Sequence, residues 1–257
     1  MQRKQTIHPF DVSRYKNQKN VVYGDMSKIP CYKLRYENDI FPTAQAILAE
    51  LLRRDKDYST KRSAEDKIHI CCREQSILLS SILKAKNIPS RCRSGFAPYL
   101  NNDYSAGDHW ITEYYNKDKN RWVLVDADMH CFDDDLDFDI NDIPRNKFIF
   151  GADAYLGIRN GSYDDKKIHY ASDPITYGLK AAIKGLFYDF HCLMNDEIIF
   201  LHVPKYIADK NFELSEEEYK ELDELAILML DPNKNFEKLL NIWDENKKFR
   251  IMSGGLN

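Results

Sequence analysis

Residues 67–96, KIHICCREQSILLSSILKAKNIPSRCRSGF, leave the chain little choice of local structure. The apolar run from Cys72 onward predicts a helix over about 72–86. Asn87 suits the left-handed position that closes a helix, and Pro89 prevents its continuation. Residues 90–97 then read as a strand. Two adjacent cysteines, Cys71 and Cys72, stand where the helix begins. Adjacent cysteines do not make a routine disulfide, and they lack the spacing of a metal knuckle.

The rest of the chain is arranged around that helix and strand. TAQAILAELLRR (43–54) predicts a helix capped by Thr43, with Ile47, Leu48, Leu51 and Leu52 on one face. The charged stretch DKDYSTKRSAEDK (55–67) reads as a surface loop. Across 110–126, Trp110, Thr112 and Tyr114 alternate with Ile111, Glu113 and Tyr115, and RWVLV (121–125) is mostly β-branched or aromatic. Two strands joined by a hairpin turn at NKDKN are expected there. In the C-terminal third, Leu179, Ala182, Ile183, Leu186, Phe187, Phe190 and Met194 recur at helical spacing. LSEEEY (214–219) is a capping box of Ser215 with Glu218, flanked by a Leu214–Tyr219 staple. A last helix holds Phe236, Leu239, Leu240 and Trp243. No composition break marks a boundary. The expectation is one α+β domain over 1–257, with its core at about 40–145 and a helical C-terminal extension at about 175–250.

At 257 residues, 43% hydrophobic and 30% charged, the chain has the composition of a soluble globular protein that buries a sizeable core. The net charge of −4 is mild, and no basic stripe points to a nucleic-acid partner. MQRKQTIHPF lacks the apolar stretch of a signal peptide, and nowhere do about 18 apolar residues run together, so no membrane partner is expected. These readings place the protein in the cytoplasm, with the thiols of Cys31, Cys71, Cys72, Cys92, Cys131 and Cys192 reduced.

Nucleophilic catalysis by cysteine requires a thiol held partly as thiolate, a base beside it and a group that orients the base. Cys72 opens a helix, where the positive end of the dipole and free backbone N–H groups favour thiolate and can receive an oxyanion. His109 is the candidate base and Asp126 the candidate orienter. A two-residue turn at Lys117–Asp118 would set Trp110 opposite Val125 and His109 opposite Asp126, close enough for a carboxylate to hold an imidazole. Arg93 and Trp110 are candidate substrate contacts, and Glu113 is a structural hydrogen-bond partner. Cys71 and Cys92 are expected to pack. A metal site drawn from Cys71, Cys72, Cys92, His130 and Cys131 is the rival chemistry, but no pair has ligand spacing. The acidic run 126–142 lacks the glycine and closing glutamate of a calcium loop. Neither a metal nor a cofactor is expected.

With these residues in place, the chain resembles the transglutaminase-like superfamily. Cys72 followed by REQSILLSSILKAKNIPSR is similar to its cysteine box, with Ser76 as the small residue and Asn87-Ile88-Pro89-Ser90-Arg91 as the closing element. DHWITEYY resembles its histidine strand, giving His109, Trp110, Ile111 and Glu113. RWVLVDAD resembles its aspartate strand, giving Trp122 and Asp126. Weaker likeness along SGFAPY and LFYDFHCLMNDEI extends to a bacterial group of transglutaminase-like proteins. The resemblance implies a papain-like α+β fold. It also implies a Cys72–His109–Asp126 triad that attacks the carbonyl of a peptide, protein or small amide and resolves a thioester with water or an amine. No tryptophan precedes Cys72, so the indole oxyanion donor of animal transglutaminases has no counterpart. The alternative expectation is a binding module that kept the fold without the chemistry.

Overall fold

A computed structural model describes residues 4–14, 19–20, 23–29, 37, 40–58, 61–100, 105–128, 136–171, 173–200, 202–208, 212–250 and 252–253. Its principal elements begin with β1 (Thr6–Ile7), α1 (Ala44–Arg54), β2 (Ile68–His69), α2 (Cys72–Ala85) and β3 (Ser90–Ala97). The hairpin β4 (Ala106–Asn116) and β5 (Arg121–Val125) follows. Then come β6 (Ile149–Phe150), α3 (Gly151–Arg159), β7 (Ile168–Tyr170), β8 (Asp173–Tyr177), α4 (Gly178–Leu193), α5 (Glu216–Met229) and α6 (Phe236–Glu245). The mixture is the expected α+β class. Among the described residues no helix is long and apolar enough to cross a membrane.

The chain forms two compact units, Met1–Arg91 with Ile111–Ile143 and Cys92–Trp110 with Pro144–Asn257. In the first unit, Thr43 caps α1 by accepting from the Ala46 N–H at 3.2 Å. Ala44, Ile47 and Leu51 face inward, whereas Leu48 and Leu52 are 38% and 40% exposed. The buried stripe is therefore narrower than the expected face. Helix α2 ends as anticipated. Asn87 has φ 58°, its N–H reaches Lys84 O at 2.9 Å, and the Ile88 N–H reaches Leu83 O at 3.0 Å. This paired closure satisfies two end carbonyls of the helix. The charged stretch 55–67 is not all surface. Arg62 is buried and donates to Gln5 Oε1 at 2.6 Å, and Lys67 is buried completely.

Small polar residues let α2 lie against its neighbours. Thr112 Oγ1 donates to Ser76 O at 3.2 Å, and Ser90 Oγ donates to Ser80 O at 2.9 Å. Arg91 pairs with Glu113 at 2.6 Å and its guanidinium covers the Trp122 ring at 4.2 Å, so Glu113 is the structural partner expected.

The hairpin register differs from the expected one. Thr112 faces Val125 and Asn116 faces Arg121, a shift of two residues. The loop is Lys117–Asn120, four residues long. Asn116 Oδ1 accepts from the Lys119 N–H at 3.0 Å, and Asn120 takes a positive φ of 48°. A shift of two preserves which side chains share a face but changes which residues lie opposite one another.

The second unit is built on α4. Its apolar residues from Ala181 to Leu193 are buried around the whole circumference, which marks a central helix. Helix α3 crosses α4 so closely at Gly151 and Gly185 that a Cβ on Gly151 would fall 2.3 Å from the Gly185 carbonyl. Ala106 and Gly107 of β4 pair in parallel with Ile168 and His169 of β7, and Gly95 and Phe96 of β3 pair with Phe150 and Ile149 of β6. The predicted Ser215–Glu218 capping box opens α5, with the Glu218 N–H on Ser215 Oγ at 3.3 Å and the Ser215 N–H on Glu218 Oε2 at 2.8 Å.

Candidate functional site

Cys71 has extended backbone and caps α2, so Cys72 is the first helical residue. The helix's first hydrogen bond runs from the Gln75 N–H to Cys71 O at 3.1 Å, which leaves the amides of Cys72, Arg73 and Glu74 without intrahelical acceptors. This end of α2 is where a thiolate and an oxyanion are both favoured.

The two cysteines differ. The Cys71 thiol donates to Glu74 Oε2 at 2.9 Å, and Glu74 Oε1 accepts from Arg73 Nη1 at 2.6 Å. Burial pushes the Cys71 thiol well above its usual range, and its neighbours Cys72 and Glu74 push the same way. Cys71 is therefore held as a protonated donor. Burial also raises the Cys192 thiol strongly.

The Cys72 sulfur, a ring nitrogen of His109 and a carboxylate oxygen of Asp128 lie within 4.8 Å of one another, and all three residues are buried. The hairpin pairing ends with Thr112 opposite Val125, and residues 126–128 follow directly from the end of β5. Asp126 is buried, and its Oδ1 accepts from the Asp128 N–H at 2.9 Å. One carboxylate thus braces the backbone that carries the other. The sulfur, nitrogen and oxygen atoms of this group are also the set that matches metal-ligand spacing among the described residues. His130 and Cys131, considered earlier as ligands, lie outside the described residues, as does Cys31.

Three contributors to this region were not read from the sequence. Gln75, one turn along α2 from Cys72, donates from Nε2 to Asp128 Oδ1. Its Oε1 accepts from the Thr6 hydroxyl at 3.0 Å. His8 Nε2 stands 3.6 Å from Asp128 Oδ2. The only signal available was the TIH of MQRKQTIHPF, three β-branched or ring residues in a row, and nothing in it tells which distant strand it joins.

The candidate substrate contacts lie in the second unit. Arg93 is 2% exposed, and its fork is engaged by Asp189, Nε to Oδ1 and Nη2 to Oδ2, both at 2.8 Å. Its plane covers the Phe150 ring at 3.9 Å. Trp110 is fully buried against Tyr188 and Phe200. The Tyr99 ring meets His109 edge-on at 6.3 Å between centroids. Beside it, burial raises the Asp108 carboxyl, although it accepts from the Ala171 N–H at 2.7 Å. Cys92 is buried, as expected of a packed thiol.

Among known proteins, the family model described as the transglutaminase-like superfamily matches residues 45–127, which hold all but the first residue of α1 together with β2, α2, β3, β4 and β5. No curated protein and no solved structure matches the chain. Residues 45–127, of α+β architecture with Cys72 at the start of their helix, are therefore similar to a transglutaminase-like domain.

Proposed function

We propose that the protein is a cysteine-dependent acyl-transfer enzyme that acts on an amide bond. The observation that carries this reading is the buried grouping of Cys72, His109 and Asp128 at the start of α2. In the proposed reaction His109 takes the thiol proton as Cys72 sulfur attacks the amide carbonyl carbon. The tetrahedral oxyanion is received by backbone amides at the head of α2. The C–N bond then breaks, the departing amine takes the proton from His109, and a thioester remains on Cys72. Water, or a second amine, attacks the thioester and gives a proton to His109, and the C–S bond breaks to regenerate the thiol. Hydrolysis is favoured over transamidation because the sequence shows no second-substrate feature.

The orienting carboxylate comes from the Asp126–Asp128 turn. Asp128 holds the imidazole and Asp126 braces Asp128, a division supported by the grouping of Asp128 with His109 and Cys72 and by the Asp128 N–H bond to Asp126. The substrate is a peptide, a protein or a small amide, and Arg93 and Trp110 belong to this reading as residues to be tested for substrate contact.

Iodoacetamide alkylation near neutral pH, followed by mass spectrometry, tests the proposal. Cys72 should react at least about tenfold faster than Cys192, and His109→Ala should remove most of that advantage. Equal reactivity of the two thiols would refute an activated nucleophile. Asp128→Asn should slow Cys72 more than Asp126→Asn does.

A further inference from the structure

We infer that the N-terminal segment completes the centre, with His8 as a positioning residue that faces the Asp128 carboxylate oxygen not taken by Gln75 of α2. This inference rests on the function proposed above, and it concerns residues ahead of the family match at 45–127.

Asp128 is 2% exposed, so its carboxylate depends on protein partners instead of water. Its two oxygens are divided between two elements of the first unit. Oδ1 accepts from the Gln75 side-chain amide, while Oδ2 faces His8 Nε2 at 3.6 Å. The Gln75 amide cannot turn over without loss, because its oxygen accepts from the Thr6 hydroxyl at 3.0 Å. The His8 ring is fixed in the same manner. The Phe10 N–H donates to His8 Nδ1 at 3.1 Å, so in the neutral ring the proton sits on Nε2, the nitrogen that faces Asp128. An Nε2–H 3.6 Å from Oδ2 favours the carboxylate electrostatically.

The backbone that delivers these groups is itself fastened. β1 lies parallel to β2, with Thr6 opposite Ile68 and Ile7 opposite His69, and the Ile70 N–H reaches Ile7 O at 3.2 Å. β2 runs within three residues into Cys72. The strand that feeds the nucleophile into its helix is thus also the strand that docks Thr6 and His8. His8, Thr6, Gln75, Asp126 and Asp128 are all buried, as expected of a connected polar network with satisfied members.

The test compares His8→Ala with His8→Gln in the full-length chain. A glutamine amide offers an N–H near the position of Nε2. His8→Ala should slow Cys72 alkylation about tenfold, and His8→Gln should restore most of the rate, a pattern that loss of packing alone would not give. The ¹⁵N and ¹H resonances of the His109 ring give a readout that does not depend on thiol reactivity. They should move in His8→Ala and return toward wild type in His8→Gln. Wild-type Cys72 as slow as Cys192 would overturn the proposed function. A reactive wild-type Cys72 that His8→Ala leaves unchanged would overturn the role of His8 alone. Unmoved His109 resonances in folded His8→Ala would overturn it whatever the thiol does.

Discussion

Asp189 on α4 is the position where one substitution should damage the second unit most. It is fully buried, and it accepts from Arg93 Nε and Nη2, both at 2.8 Å, and from the Ser94 N–H at 3.0 Å. Asp189→Leu would take from the buried Arg93 guanidinium its bidentate carboxylate and from the Ser94 N–H its acceptor. Breaking one side of such a pair costs about 3–5 kcal/mol, and an orphaned N–H costs about 1–3 kcal/mol. These overlap at a single carboxylate, so a loss of about 4 kcal/mol is expected. Followed by circular dichroism in urea, with a denaturant slope of about 2 kcal/mol per molar, the midpoint should fall by about 2 M. Replacing both partners, Arg93→Met with Asp189→Leu, removes the buried charge together with its carboxylate and should recover all but about 1–2 kcal/mol. A fall of less than about 1 kcal/mol for Asp189→Leu alone would refute the reasoning, because it would mean that the Asp189 carboxylate is not what stabilises Arg93 in the core. The same stable double variant tests Arg93 for substrate contact. An acyl adduct trapped on Cys72 from a cell extract should form on it as on the wild type, and its loss would return Arg93 to the substrate.

Other expectations follow from the geometry. Cys71→Ala should leave Cys72 alkylation rapid while lowering stability by about 1–3 kcal/mol, since Glu74 loses a buried donor; slow alkylation in that variant would show that the adjacent thiol takes part. Asn87→Val should cost about 1–2 kcal/mol and Asn87→Gly almost nothing, because only the β-branched residue resists a φ of 58°, and thermal melts would distinguish them. Ser215→Ala should cost about 1 kcal/mol by opening the capping box of α5, read in the same melts. Burial lowers Lys67 to about 7 from its ordinary 10.5. Between those values the unfolded chain binds a proton that the folded one does not, so this residue makes stability rise with pH from about 7 to about 10.5. Lys67→Met should therefore stabilise the protein most at pH 7 and progressively less toward pH 10.5, and urea titrations that show a constant difference would contradict it.

Local chemistry settled much of this protein from its sequence. The stop at Asn87-Ile88-Pro89 locates the end of α2, and counting back fifteen residues separates Cys72 from Cys71. Thr43 and Ser215 mark helix starts because their side chains bond amides three residues away. The alternation from Trp110 to Tyr115 gives a strand and the faces of its residues. The tertiary structure decided what these elements meet. NKDKN accommodates a two-residue or a four-residue turn, and the difference sets Thr112 instead of Trp110 opposite Val125. The partners of Asp128 and Arg93 are further still from local reading. Gln75 is 53 residues from Asp128, and Asp189 is 96 residues from Arg93. His8 reaches Asp128 only because β1 pairs with β2. Periodicity and capping act over a few residues and can be read along the chain. The closure of a buried polar network depends on which distant backbones are brought together, and only the packed fold contains that information.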